Sequence, residues 1–177
     1  DDLVAFTSFD RQKVSTWIAT EDIKTVLAKD WGYRIEIIKP ALLCDFLVGW
    51  TKQPSISKDM INLVKSAITR AFLEDTERNV QICKQALQTG DKMAVKASLQ
   101  KVSDLLLGLS SAIYNDKLKA LKSAEKGLDV IAKSSGSGGG DCGIAISFSE
   151  SDSHELAQRW QKAGIEILYQ ERLSDER

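Results

Sequence analysis

Apolar positions change their period several times along this chain. Residues 3 to 9 (LVAFTSF) form a dense apolar run that predicts a strand, followed by helical stretches around Arg11 to Ile18 and Glu21 to Ala28. Tyr33 to Lys39 alternate as a strand does, and Pro40 closes them; Cys44 to Trp50 is a second, more apolar strand. After the turn TKQPS the period becomes helical. Met60, Leu63, Val64, Ala67 and Ile68 share one face, and Phe72, Thr76, Val80, Cys83 and Leu87 continue at helical spacing. Gly90-Asp91 ends that helix and caps the next, which carries Val95, Leu99, Val102, Leu106 and Leu109. Asn115 or Asp116 starts a fourth helix with Leu118, Leu121, Leu128 and Ile131. A glycine-rich loop follows, then a strand (Gly143 to Phe148), a helix and a last strand (Ile165 to Tyr169). Asp152 stands at the cap of a capping-box layout before that helix, and Gly164 ends it.

Strands at both ends with helices grouped between them predict an α+β fold with a largely antiparallel sheet, rather than a doubly wound parallel one. No internal repeat is visible. Acidic and basic residues nearly cancel, at 25 and 24, so a general nucleic-acid surface is not expected. No apolar run approaches the ~18 residues of a membrane span. Three cysteines at wide spacings suggest neither a disulfide framework nor a zinc site, and point to a reducing cytoplasm.

The chemistry concentrates in KSSGSGGGDCGIAI, residues 133 to 146. Only 37 residues follow Gly140, fewer than the ~40 that fold alone without staples, so the glycines sit inside a domain and are not a spacer. A glycine run turns several N–H groups toward one point, and such a nest binds phosphate oxygens. Ser134, Ser135 and Ser137 add hydroxyl donors, and Lys133 adds a charge at the edge. Three commoner loops fail. A Walker loop needs Lys-Ser/Thr where Asp141-Cys142 stand. The dinucleotide pattern from Gly136 needs glycine at 141, and a nucleophile elbow on Ser137 fails at 135. The remaining arrangement is a helix-loop-strand glycine nest.

That block resembles the third conserved motif of the GHMP kinases, a superfamily of small-metabolite kinases. With DFLVGWTKQPSISKDM upstream and GIEILYQERL downstream, the resemblance extends over essentially the whole chain and is to the bacterial phosphomevalonate kinase family within it. It implies transfer of the γ-phosphoryl of ATP, with Mg2+, to 5-phosphomevalonate, giving 5-diphosphomevalonate for isoprenoid biosynthesis. The superfamily's PxxxGLGSSAA-like nucleotide loop and its upstream acidic residue are absent from the sequence. The resemblance therefore implies a carboxy-terminal half: residues 1–40 would end the amino-terminal nucleotide-binding domain, and residues 41–177 would be the carboxy-terminal domain. The partner is then the amino-terminal half of the same enzyme, with no nucleic acid or membrane. The catalytic residues and the bound nucleotide would lie upstream. This half alone would be inactive and would bind no cofactor or metal of its own.

Carried over residue by residue, Ser134, Ser135, Gly136, Ser137, Gly138, Gly139 and Gly140 would hold the phosphate of phosphomevalonate. Ser57, where an N-cap belongs, would be a second substrate contact at a helix N-terminus that already favours anions. Lys52 and Lys58 are near in sequence but read as solvated. His154, the only histidine, reads as a surface residue; Cys142 reads as a half-buried strand thiol rather than a nucleophile. Asp141 either orients the loop or accepts its own backbone N–H groups. The four tryptophans read as packing residues, with Trp50 near enough to Ser57 to wall a pocket. Two alternatives stay open: another mevalonate-pathway enzyme of the superfamily (mevalonate kinase or diphosphomevalonate decarboxylase), and a non-catalytic phosphate-binding or interaction domain.

Overall fold

The computed structural model describes residues 3–136 and 138–173. The chain divides into two compact units, Asp1–Lys39 and Pro40–Arg177. The first holds β1 (Leu3–Thr7), α1 (Arg11–Thr20), α2 (Ile23–Ala28) and β2 (Arg34–Ile38). Asp10 and Asp22 start the two helices by accepting from the backbone N–H groups of Gln12 and Lys13, and of Lys24 and Thr25. The Asp10 cap is why β1 stops at Thr7, short of the expected Phe9. Phe9 instead packs its ring edge-on against Trp31, at 5.1 Å. β1 and β2 pair antiparallel, with Val4 opposite Ile37 and Phe6 opposite Ile35. Those four side chains share one face of the ribbon, and each is more than half exposed.

The second unit runs β3 (Cys44–Trp50), α3 (Ser57–Val64), a 3₁₀ turn (Lys65–Ala67), α4 (Arg70–Thr89), α5 (Lys92–Leu109), α6 (Asp116–Ser123), β4 (Val130–Ser134), β5 (Cys142–Ser147), α7 (Glu150–Lys162) and β6 (Glu166–Leu173). Its four strands lie in the order β4-β5-β3-β6, every neighbouring pair antiparallel. The α+β class with an antiparallel sheet and a block of helices is thus the observed fold. Gly90, at φ 77°, ends α4, and Asp91 caps α5 by accepting from Ala94 N–H.

One sheet face is made for close approach. Gly49 pairs with Gly143 across β3 and β5. A Cβ on Gly49 would lie 2.7 Å from the Trp160 ring, and one on Gly143 would lie 2.5 Å from Leu121. Removing two Cβ atoms at one level lets α6 and α7 settle onto the strands. Trp160 is fully buried there and donates its indole N–H to the Leu121 carbonyl at 2.9 Å. Leu47, Leu118, Leu121, Leu156 and Ile165 complete the same core. β4 is an edge strand, but side chains occupy its outer groups: Glu125 accepts from Ala132 N–H (2.5 Å), Lys122 donates to the Ala132 carbonyl (3.0 Å), and Tyr114 accepts from Ser134 N–H (3.3 Å).

Three sequence expectations are corrected. The fourth helix ends at Ser123, and Leu128 and Ile131 do not belong to it. Gly127, at φ 80°, turns the chain, and the β-branched pair Val130-Ile131 enters β4. The glycine loop therefore joins two strands and is not a helix-to-strand connection. The long helical block after residue 57 breaks at Ile68, because Thr69 caps a new helix by accepting from Phe72 N–H. The cap of α7 is Ser149; Asp152 lies one turn inside and accepts from the backbone N–H of Asp129.

Asp129 ties several elements together. Its carboxylate takes Lys92 at 2.8 Å and Lys96 at 3.0 Å from α5, while its carbonyl accepts from Phe148 N–H. The hydrogen bond from Lys92, set against partial burial, holds the carboxyl below the usual Asp range. A depressed folded value means this contribution is complete above the ordinary carboxylate value, about 4, and is lost as pH falls through the folded one. Asp129→Asn should therefore lower stability by about 0.5–1 kcal/mol at pH 7 and by progressively less as pH falls below about 4, read by urea unfolding across that range. Gly49→Ala should cost about 1–3 kcal/mol in the same assay, because Trp160 has no room to give.

Candidate phosphate-binding site

The β3–β5 register brings two distant loops together. Trp50 opposes Cys142, so the chain leaving β3 and the chain entering β5 emerge side by side. The pairing then continues beyond the strands. Thr51 donates both its N–H and its hydroxyl to the Asp141 carbonyl (2.8 Å each), and Asp141 N–H returns to the Gln53 carbonyl (2.6 Å). Ser55 adds a hydroxyl bond to the Gly138 carbonyl (2.7 Å) and a longer N–H contact to the Asp141 carboxylate (3.3 Å). From a third side, Ile113 accepts from Gly139 N–H (2.8 Å), and the Asn115 amide donates to the Gly139 carbonyl (2.9 Å).

The glycines divide by what they meet. Gly136, Gly138 and Gly139 have φ of 65°, 74° and 78°, and Gly140 has φ 153°. These are backbone states that side chains disfavour. A Cβ at Gly138 would lie 2.7 Å from the Ile113 carbonyl oxygen, one at Gly139 would lie 2.7 Å from Met60 Sδ, and one at Gly140 would lie 2.5 Å from the Gln53 carbonyl oxygen. Gly136 faces open space. Three glycines thus let the loop pack onto the protein, and one opens outward. Among the described residues the N–H groups of Gly136, Gly138 and Gly140 have no protein acceptor. Free N–H groups on a loop of positive φ are the kind of donor that an anion-binding nest uses.

The sequence-predicted residues fall into distinct places. Ser135 is half-buried, and its N–H extends the β4–β5 ladder to the Cys142 carbonyl. Ser134 is fully buried at the end of β4, and its hydroxyl is buried without a hydrogen-bond partner. Ser137 lies outside the described residues. Ser57 is the first residue of α3 and not its cap: Ile56 holds the cap position and offers no side-chain bond. Ser57 still shares the first turn of α3 with Met60, which packs against Gly139. The glycine loop and that helix N-terminus are therefore neighbours.

Lys58 is exposed in the first turn of α3, while the other two candidate cations stand elsewhere. Lys133 turns inward, donating to the Ser134 carbonyl (2.5 Å), and burial pushes its ammonium below the usual lysine range. Lys52, at φ 59°, pairs with Glu166 at 3.0 Å. Cys142 is partly buried, and that burial, followed by the charge of Asp141, raises its thiol. His154 is exposed on α7. Asp141, at φ 53°, orients the loop through its backbone and its carboxylate together.

Sequence reasoning missed Thr51, Gln53, Ser55, Ile113 and Asn115 as partners of the loop. Asn115 had been read only as a helix start. The available signal was its place directly before α6, where a side chain that caps a helix also faces whatever packs on the helix end.

Residues 83–166 match the family described as GHMP kinases C terminal. The phosphomevalonate kinase of Streptococcus pneumoniae, solved in complex with phosphomevalonate and AMPPNP, is 47% identical with a TM-score of 0.91, covering 97% of this chain and 52% of that one. A phosphomevalonate kinase of Streptomyces sp. (strain CL190) is 28% identical over 175 residues, 92% of this chain and 47% of that protein. The mevalonate kinase of L. major, solved with R-mevalonate, shares the fold at 18% identity and TM-score 0.64, over 79% of this chain and 44% of that one. The chain thus spans about half the length of these relatives.

The division among the glycines has a measurable consequence. Gly136→Ala should cost about 1–2 kcal/mol, the strain of a left-handed alanine alone. Gly138→Ala and Gly140→Ala should cost more, because backbone carbonyls of Ile113 and Gln53 must move as well. Thermal unfolding of the three variants side by side checks that order.

Proposed function

We propose that this chain, which has the fold of the GHMP kinase carboxy-terminal domain, is the carboxy-terminal half of a phosphomevalonate kinase. The whole enzyme transfers the γ-phosphoryl of ATP to 5-phosphomevalonate, yielding 5-diphosphomevalonate in the cytoplasm. The observation that carries this reading is the glycine nest fixed beside the first turn of α3, in a chain matched along 97% of its length by a phosphomevalonate kinase. All three cysteines are free, in keeping with a reducing compartment, and no described helix is long and apolar enough to cross a membrane.

In this reading the half-enzyme positions the acceptor. Phosphoryl transfer depends on placing the attacking oxygen and on stabilising charge at the moving group. Ser135, Gly136, Ser137 and the free N–H groups of the loop hold the substrate's existing phosphate. Ser57 and the N-terminus of α3 face it from the other side. Gly138, Gly139 and Gly140 keep the loop's shape, and Ser134 anchors its start. Mg2+ accompanies the ATP; among the described residues no three His, Cys, Asp or Glu side chains gather to hold an ion, so no residue here is assigned to it.

Residues 1–40 are read as the end of the amino-terminal domain, with the first compact unit ending at Lys39. The support is their ribbon, which leaves Val4, Phe6, Ile35 and Ile37 exposed on one face. A two-stranded ribbon is marginal by itself and needs further strands or a helix on such a face.

Joined to an amino-terminal half bearing a GHMP-type nucleotide loop, the chain should release ADP from ATP only when 5-phosphomevalonate is supplied. The chain alone should release none. A coupled ADP assay with phosphomevalonate, mevalonate and no acceptor checks this; turnover of mevalonate in place of phosphomevalonate would overturn the substrate, and an inactive joined enzyme would overturn the kinase reading.

A further inference from the structure

We propose that Asn115 is a positioning residue for the glycine loop, one amide that sets which way the loop's peptide planes face. This rests on the reading of that loop as the acceptor-phosphate cradle. Asn115 uses every face of its side-chain amide. Its Oδ1 accepts from Leu118 N–H at 2.9 Å and caps α6, while its Nδ2 donates to the Gly139 carbonyl at 2.9 Å and to Gln53 Oε1 at 3.0 Å. One side chain therefore joins a helix terminus, the loop after β3 and the loop after β4.

The planarity of the peptide group gives this bond a directional effect. In a trans peptide the carbonyl and the following N–H point in opposite directions. Holding the Gly139 carbonyl on Asn115 makes the Gly140 N–H point away from it. The neighbouring plane is fixed in the same way: Ser55 holds the Gly138 carbonyl at 2.7 Å, and Ile113 takes the Gly139 N–H at 2.8 Å. Glycines at positive φ have little intrinsic preference to hold such planes, so external bonds must do it. Without Asn115 the Gly139–Gly140 plane is free to rotate, and the donor pattern presented to a phosphate is lost while the strands stay intact.

Asn115→Ser separates this role from capping. Serine caps a helix about as well as asparagine, is uncharged, and is too short to reach Gly139 while it bonds Leu118. In the enzyme joined to its amino-terminal half, Asn115→Ser should raise KM for phosphomevalonate about tenfold, the effect of misplacing one N–H donor to a charged phosphate. KM for ATP should stay unchanged, and the melting temperature should fall less than in Asn115→Ala, which loses the α6 cap as well. The NMR order parameter of the Gly140 N–H, followed on this chain without substrate, should fall in both variants, because that N–H shares its peptide plane with the Gly139 carbonyl. Wild-type KM for phosphomevalonate together with a wild-type order parameter at Gly140 in Asn115→Ser would overturn the proposal. If the joined wild-type enzyme ignored phosphomevalonate, the kinase reading would fall, and an unchanged or lowered Gly140 order parameter in Asn115→Ser would still decide the positioning role of Asn115 against or for it.

Discussion

Everything at the candidate site depends on the antiparallel ladder between β3 and β5 being carried past the ends of both strands. The last strand pair, Trp50 and Cys142, is followed at once by Thr51 and Gln53 bonding Asp141 through backbone and hydroxyl. Loops rarely continue a sheet in this way, because they lack the extended geometry. Here Lys52 and Asp141 both take positive φ, at 59° and 53°, and thereby turn successive groups toward each other. Both are non-glycine residues in a region that costs roughly 1 kcal/mol or more, so the bonds they enable must outweigh that strain. The result is that residues some ninety positions apart in sequence are held as rigidly as neighbours.

The same constraint explains why the glycines are not interchangeable. Gly49 and Gly143 sit inside the ladder and admit Trp160 and Leu121 to the sheet. Gly138, Gly139 and Gly140 sit just beyond it and admit Ile113, Met60 and Gln53 to the loop. Gly136, in the same loop, has open space beside it. A glycine-rich stretch is often taken to mean freedom. In this fold most of these glycines mark tight contact, and a loop so closely packed presents its N–H groups with little left to reorganise.

Much of this architecture was legible in the sequence. β3 was read at its observed limits, and Gly90-Asp91 was read as the joint between α4 and α5, because the apolar run and the turn residues agreed there. The α+β class followed from element order. The stretch 124–134 was misread for a physical reason: Leu121 and Leu128 are seven apart, a spacing that suits a helix, while the decisive event is one positive φ at Gly127. The resemblance located the loop, but the order of elements around it was wrong, and strand-loop-strand replaces helix-loop-strand. The clamp on the loop was not legible because Thr51, Gln53, Ser55 and Asn115 are ordinary polar residues. Their role comes from the register of β3 against β5, which no local pattern encodes.

The electrostatics point to how the two halves of such an enzyme divide the work. The lysine in the loop's own sequence, Lys133, is turned into the protein, and burial disfavours its charge. Lys52 is engaged with Glu166. On the reading proposed here, this half therefore meets the substrate phosphate chiefly with N–H dipoles and a helix terminus, with Lys58 exposed in the first turn of that helix. Dipoles fixed by packing discriminate by shape, since they stabilise an anion only where its oxygens meet them. Mobile ammonium groups would attract any phosphate, including those of the nucleotide. An acceptor cradle that must reject ATP while taking a small phosphorylated acid is better built from fixed dipoles than from lysines. On the same reading, the countercharge that phosphoryl transfer needs would enter with the nucleotide and its metal, from the other half.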